Sequence, residues 1–399
     1  MRPLLLTFLL LTGLLSGLAS PALADWPATL AAARGQTVYW NAWGGDARTN
    51  AFIAWVGTET ERLYGVKIEQ VKLSDTAEAV SRVIAEKAAG QTGEGSVDLI
   101  WINGPNFLAM KEQGLLHGPF VAGLPNARFV DLAPGAAAAL DFTLPVDGYA
   151  SPWRLARFNF SYDSARVSDL PPDMAGWVGW AAAHPGRLTH PDPANFMGAT
   201  FLKQALVELA PDPAVLQAPV TEAGFAAATA PLWAWYEALR PHLWRQGTAF
   251  PENESVQARL MNDGEIDIAM SFDPASTAAL IRQGLMPATA RVFVPKGGSI
   301  GNVSFVAIPF NAAHSAGAEV VANFLIDPAT QAHMQVIAVL GAFSVLDPGR
   351  LDGAAQAALA ALPDDPALPG LAGLGPTLPE PHASWTLRLT EEWARRYTP

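Results

Sequence analysis

The feature that most constrains this chain is an alternation of short β-type runs with helical patterns, each run handing over to its helix through a polar loop bearing glycine or proline. Residues 36–41 (QTVYWN) are such a run and end in Ala42-Trp43-Gly44-Gly45-Asp46. A helical pattern with Phe52, Ile53, Trp55, Val56 and Leu63 follows, and Gly65 stands where a helix C-cap is expected. Residues 66–73 alternate as a strand and 76–89 form an amphipathic helix. Residues 96–102 (SVDLIWI) read as a buried strand, ending in Asn103-Gly104-Pro105-Asn106 before a helix through Met110. Strand and helix in strict succession call for a parallel sheet with helices on its faces, because parallel neighbours need a long crossover. The expected fold class is α/β.

The pattern then changes. Residues 144–163 have no helical period and read as an extended crossing between two lobes, carrying Trp153, Phe158, Phe160 and Tyr162. A second α/β set follows, with helices at 177–183, 195–209, 229–239, 255–262 and 274–283 and strands at 186–189, 266–272 and 291–295. Residues 301–309 (GNVSFVAIP) form a second extended crossing, followed by helices at 316–326 and 328–340. Residues 346–375 are rich in Ala, Pro and Gly, and a last helix lies near 386–397. The expected division is 25–152 for the first part of lobe 1, 153–300 for lobe 2, 301–345 for the return crossing and its helices, and 346–399 for a C-terminal segment.

Composition narrows function by exclusion. With no cysteine among 399 residues, disulfides, thiolate metal sites, cysteine nucleophiles and iron–sulfur clusters are ruled out. The net charge of −12 argues against non-specific nucleic-acid binding, which needs a cationic surface. Residues 1–24 have a basic start, an apolar run and the small-residue ending Ala22-Leu23-Ala24, the pattern of a secretory leader cleaved after Ala24. No later apolar stretch reaches the ~20 residues of a membrane span. The expected location is therefore the periplasm.

Motifs for catalysis are sparse. The seven histidines show no metal-ligand spacing, and no phosphate-loop or dinucleotide fingerprint occurs, so neither a metal nor a cofactor is expected. Gly297-Gly298-Ser299-Ile300-Gly301 fits GxSxG, but a nucleophile elbow requires a helix directly after the serine, and an extended run follows instead. A hinge-side loop explains the glycines, and a secreted hydrolase using Ser299 is the alternative function. The polar loops fare better. In open α/β sheets ligands sit outside the carboxyl ends of the strands, where helix starts expose N–H groups. Trp43, Trp101 and Trp153 lie in or beside those loops and the crossing, and an indole face can stack on a sugar or hold an organic cation. Asp46 and Asp273 could neutralise such a cation; Asp46 reads equally well as a helix N-cap.

Taken in order, the segments VYWNAWGGDARTNAFIAWVGTETERLYGVKIEQVKL, SVDLIWINGPNFLAMKEQGLL, YASPWRLARFNFSYDSARV, ARLMNDGEIDIAMSFDPASTAALIRQG and GNVSFVAIPFNAAHSAGAEVVANFLIDPATQAHM resemble an extracellular solute-binding protein of an ABC importer. Among subgroups the chain is similar to the YnjB-type binding proteins. The resemblance implies a type II periplasmic-binding-protein fold, with two α/β lobes joined by two extended crossings, closure of a hinge on a small-molecule solute, and delivery to membrane permease subunits. It implies a binding protein rather than an enzyme, and a monomer. Carried over by position, it places a first ligand loop on Asn41, Trp43, Gly44, Gly45 and Asp46, and a second on Asn103, Gly104 and Asn106. It brings Trp153 and Arg154 near the cleft, a helix-start loop on Asn195, Phe196 and Met197, and a strand end on Ser271 and Asp273. The six tyrosines include no adjacent pair, which departs from the ferric-binding subgroup and argues against bare iron. The expected solute is small, polar and organic, with a cation favoured by Asp46 and the tryptophans; an anionic or phosphorylated solute, or a sugar, is the rival.

Overall fold

The computed structural model describes residues 25–360, 365–368 and 373–398; the leader assigned to 1–24 lies outside them. Eleven strands occur there: β1 (Thr37–Trp43), β2 (Lys67–Leu73), β3 (Leu99–Ile102), the short β4 (Leu140–Asp141) and β5 (Leu144–Pro145), β6 (Ala150–Arg157), β7 (Asn159–Asp163), β8 (Ile268–Ser271), β9 (Ala290–Phe293), β10 (Ser299–Ala307) and β11 (Thr377–Leu378). The helices used below are α2 (Ala47–Tyr64), α3 (Ala77–Ala88), α4 (Pro105–Glu112), α6 (Phe196–Leu209), α8 (Glu254–Asn262), α9 (Ala275–Arg282), α10 (Ser315–Leu325) and the last one, α13 (Ala383–Tyr397).

Lobe 1 is built as the alternation predicts. β1 pairs in parallel with β2 and with β3, and β10 runs antiparallel to β3 at the next position. Val38, Trp40, Leu99, Ile100, Phe305 and Ala307 from these strands are buried in one core with Phe52, Ile53 and Val56 of α2 and Val320 and Val321 of α10. Burying a Val, Leu, Ile or Phe side chain contributes ~1.5–3 kcal/mol before the entropy of ordering is subtracted.

Lobe 2 departs from expectation. Its sheet has three strands in the order β8-β7-β9, and both outer strands are antiparallel to β7. The reason lies in the chain path: β7 continues from the crossing strand β6, so it enters the lobe from the hinge side. The strand expected at 186–189 is absent; Pro185, Gly186 (φ +79°), Pro191 and Pro193 prevent regular pairing, and Arg187 and Leu188 instead accept isolated bonds from Asp267 and Trp244. A separate core holds this lobe, centred on Phe158, Phe160, Trp177, Phe201 and Tyr236.

The hinge also differs. β6 and β10 pair along 150–157 and 301–307, and a register shift falls opposite Trp153. A third connection exists beside these two crossings. β11 adds in parallel to Ser299 and Ile300 at the start of β10, and α13 then packs Trp385, Leu389 and Trp393 into the lobe 2 core. The C-terminal segment therefore returns from lobe 1 to lobe 2. Arg157 fixes it, donating from Nε to Ser299 Oγ (2.7 Å) and from its other nitrogens to Thr377 Oγ1 and to the carbonyls of Leu374, Gly375 and Pro376. Among the described residues no helix is long and apolar enough to cross a membrane.

Candidate functional site

A cavity of about 130 Å³ lies between the lobes at the strand tips of both. That is close to the ~150 Å³ that holds a benzene ring in an engineered core. Its floor is the paired hinge strands. Side chains alternate along a strand, so Arg154 and Ala156 of β6 and Asn302 and Ser304 of β10 face the cavity, while Leu155, Arg157, Gly301 and Val303 face the other side of the hinge.

The lobe 1 wall is formed where strands hand over to helices. Trp43 ends β1 and Asp46 caps α2, accepting from the Arg48 and Thr49 amides. Both readings of Asp46 meet here: it is the N-cap and it lines the cavity, but its Oδ2 is already paired with Arg48 at 3.1 Å. Arg48 reaches on across the lobes to Ser276 Oγ of α9 at 2.7 Å, and within lobe 1 it donates to the Leu340 carbonyl at 3.3 Å. Ser74, Asp75 and Thr76 form the turn from β2 into α3, and Asp75 accepts from the Ala77 amide. Asn103 and Asn106 lie at the start of α4.

The lobe 2 wall is made of helix starts. Asn195 caps α6 by accepting from the Met197 amide at 2.9 Å, and Asn253 caps α8 by accepting from the Val256 amide at 3.0 Å. Phe196 and Phe272 lie 5.4 Å apart between them. Asp273, after β8, pairs with Arg154 of the hinge at 3.1 Å; the two side chains are 9% and 7% exposed. The Arg154 guanidinium also lies 4.5 Å from the Trp101 ring. Asp273 Oδ1 and Arg154 Nε are buried without a hydrogen-bond partner. Glu254, the first residue of α8, turns its carboxyl into the same space, where burial and the nearby carboxylates of Asp46 and Asp273 push it up to about 8.

Nine of the expected residues line this cavity: Trp43, Asp46, Asn103, Asn106, Arg154, Asn195, Phe196, Met197 and Asp273. Six do not. Asn41 is fully buried within β1, donating to the Tyr39 carbonyl and accepting from Arg82. Trp153 is in the lobe 1 core, edge-on to Trp40 and Trp101 with its ring 5.0 Å from the Arg154 guanidinium, so it backs the cavity without lining it. Gly44 packs on Lys72, and Gly45 lies under the Trp43 ring, where an added Cβ would come within 2.3 Å of it. Gly104 adopts φ +57° against Phe142, and its amide donates to Asp141 at 2.6 Å. Ser271 exchanges bonds with the Asp273 backbone and orients it. These glycines and Ser271 shape the site without lining it.

The cavity also takes in residues that the sequence reading left out of its site set. Ser74–Thr76 follow the same strand-to-helix rule that gave the other loops. Trp101, Ala156, Asn302 and Ser304 follow from two-residue alternation. Asn253 and Glu254 had no such signal, because the segment before α8 is irregular. Ser299 is fully buried and bonded by Arg157, which removes it from any exposed elbow.

Two lobes with separate cores, three hinge connections and a site enclosed by strand tips and helix starts define a type II periplasmic binding protein. The chain belongs to the bacterial extracellular solute-binding protein family, whose model matches residues 55–349. It is 41% identical to protein YnjB of Escherichia coli (strain K12) over 390 residues, 97% of this chain and 98% of that protein. Solved structures with the same fold include the periplasmic binding protein AfuA of Actinobacillus pleuropneumoniae with fructose-6-phosphate bound (14% identity, 91% of this chain and 98% of that one, TM-score 0.62). Iron-bound HitA of Pseudomonas aeruginosa is another (16%, 89% and 98%, TM-score 0.59). A Listeria monocytogenes protein assigned as a spermidine/putrescine ABC transporter is a third (17%, 90% and 98%, TM-score 0.63). Such proteins are the solute-binding components of ABC transport systems.

Proposed function

We propose that this chain captures a small polar organic solute carrying a positive charge, shuts its lobes around it in the periplasm, and presents the shut form to a membrane permease. The observation that carries the charge is the acceptor capacity left open on the lobe 2 wall, at Glu254 and at one oxygen of Asp273, whose other oxygen is paired with Arg154. Glu254 has no hydrogen-bond partner among the described residues, and Asp273 Oδ1 is buried without one. Trp43 stands on the lobe 1 side of the same cavity, where an indole face attracts an organic cation by ~0.5–2 kcal/mol, while the Trp101 ring beside it already holds the Arg154 guanidinium.

The anionic rival has less support. Helix starts bind anions through unpaired N–H groups; here α2, α6 and α8 are capped by Asp46, Asn195 and Asn253, the Ala77 amide of α3 is taken by Asp75, and α4 alone of these cavity-lining starts has no side-chain partner among the described residues. Closure is supported by contacts that link the lobes at the cleft mouth. Arg48 bonds Ser276, and Ser255 Oγ donates to the Gly45 carbonyl at 3.0 Å. A ligand that touches both walls favours this shut form by its differential affinity for it. The commitment of Ser299 to Arg157 supports capture over a hydrolase using that serine.

Native mass spectrometry of the protein purified from its own cells tests this directly. The expected result is a co-purified amine or other organic cation. A phosphate ester or a metal ion in its place overturns the charge assignment.

A further inference from the structure

Asn302 stands on the cleft face of β10, yet its amide is held from behind. Its Nδ2 donates to Glu380 Oε1 at 2.9 Å. The other oxygen of Glu380 accepts from Lys203 Nζ at 2.7 Å, and both of these side chains are essentially unexposed (1% and 0%). A carboxylate only accepts and an ammonium only donates, so the donor and acceptor sequence is fixed from Lys203 through Glu380 to Asn302. The amide nitrogen must face Glu380, which leaves the carbonyl oxygen of this cavity-lining residue free. Asn103 is fixed in the same sense, its Nδ2 donating to Asp141 Oδ1 (3.1 Å) and to the Val303 carbonyl (2.6 Å). Neither Oδ1 has a partner among the described residues.

We infer that Glu380, which lies outside the cleft in the C-terminal segment, is a positioning residue that sets the polarity of Asn302, so that the hinge floor offers carbonyl oxygens and selects a solute end bearing N–H or O–H donors. The inference rests on the reading that this cleft receives a polar solute, and it adds which way round that solute lies. Its donor-rich end meets Asn302 and Asn103 at the floor. The caps Asn195 and Asn253 spend their oxygens on helix amides, so they turn amide nitrogens to the lobe 2 side.

The chain of bonds has a consequence that a purely structural ion pair lacks. In Glu380→Gln, Lys203 still requires an acceptor and takes the Gln carbonyl oxygen. The Gln amide then donates towards Asn302, and Asn302 must rotate to accept, turning its nitrogen into the cleft. A substitution outside the cavity thus inverts the chemistry of one of its walls.

The test has two parts. Neutron diffraction from crystals of the perdeuterated full chain locates the Asn302 deuterons; they are expected on the Glu380 side in the wild type and on the cleft side in E380Q. Deuterons directed into the cleft in the wild type overturn the inference, and that measurement stands even where E380Q folds poorly. Calorimetry with putrescine and with inorganic phosphate supplies the second part. The ratio of putrescine to phosphate affinity is expected to fall about tenfold or more in E380Q, since an acceptor facing the ammonium is replaced by an amide donor. In an Asn302→Ala background E380Q is expected to leave that ratio unchanged. A ratio that does not move in E380Q, or that moves equally without Asn302, overturns the inference. A wild type that prefers phosphate overturns the cationic reading instead, while the deuteron positions still decide the role of Glu380.

Discussion

The two sides of the cleft carry the same side chain to opposite effect. Asn103 and Asn302 give their amide nitrogens to groups behind them; Asn195 and Asn253 give their oxygens to helix amides. These amides therefore offer acceptors on the floor and lobe 1 side, beside the Arg154 guanidinium, and donors on the lobe 2 side, beside its carboxyls. Residue type alone does not define a binding surface. What stands behind each side chain decides which half of it is available.

Four changes break or sharpen this contrast, from the largest effect to the smallest. Arg154→Met removes the cation that links the hinge floor to lobe 2 and leaves Asp273 buried and unpaired. A loss of ~3–5 kcal/mol is expected in denaturant unfolding, as for other broken buried pairs. Asn103→Asp deprives the Val303 carbonyl and Asp141 of their donor and sets two carboxyls together. Each unsatisfied group costs ~1–3 kcal/mol, so a clear drop in unfolding midpoint is expected, and an unchanged midpoint would contradict the assigned amide orientation.

The third change is pH. Glu254 is held up to about 8 in the empty site, so near neutrality a cation must displace its proton. Only the ionised form attracts the cation, so cation affinity rises with pH up to about 8 and levels off above it. Well below 8 the slope approaches tenfold per pH unit, and Glu254→Gln flattens it; calorimetry across pH checks both. Folding stability moves the other way. A carboxyl whose folded pKa is raised favours the fold most below its unfolded value and loses that contribution as pH climbs from ~4 towards 8. Asp141, pushed up to about 7 by burial, acts in the same direction. The smallest effect is expected from Asn253→Asp. Aspartate caps a helix as well as asparagine, so thermal stability should stay within ~0.5 kcal/mol, while the amide donor on that wall is lost and probe binding changes.

Lobe 1 was legible because its strands and helices alternate strictly, and hydrophobic periodicity together with loop residues such as Gly65 marks each change. Lobe 2 was less so. Its short antiparallel strands carry no crossover signature, and the prolines around 185–193 hide where backbone bonds form. In the site, Trp43, Asp46 and Asn195 could be read from their places at element ends. Trp153 and Arg154 are neighbours in sequence, yet only Arg154 lines the cavity; Trp153 packs behind its guanidinium in the lobe 1 core, at a register shift visible only in the paired strands. Glu380 was beyond reach: 78 residues separate it from Asn302, and nothing local marks a buried glutamate in a proline-rich stretch.

The seam of β11 against the start of β10, held by Arg157, has a mechanical consequence. A ribbon of two strands flexes and also twists. A third strand laid along one end, its segment stitched through four donor contacts from Arg157, resists torsion more than bending. The lobes are thereby left one easy degree of freedom, a door-like swing, so the aperture opens and shuts with its two halves kept in angular alignment.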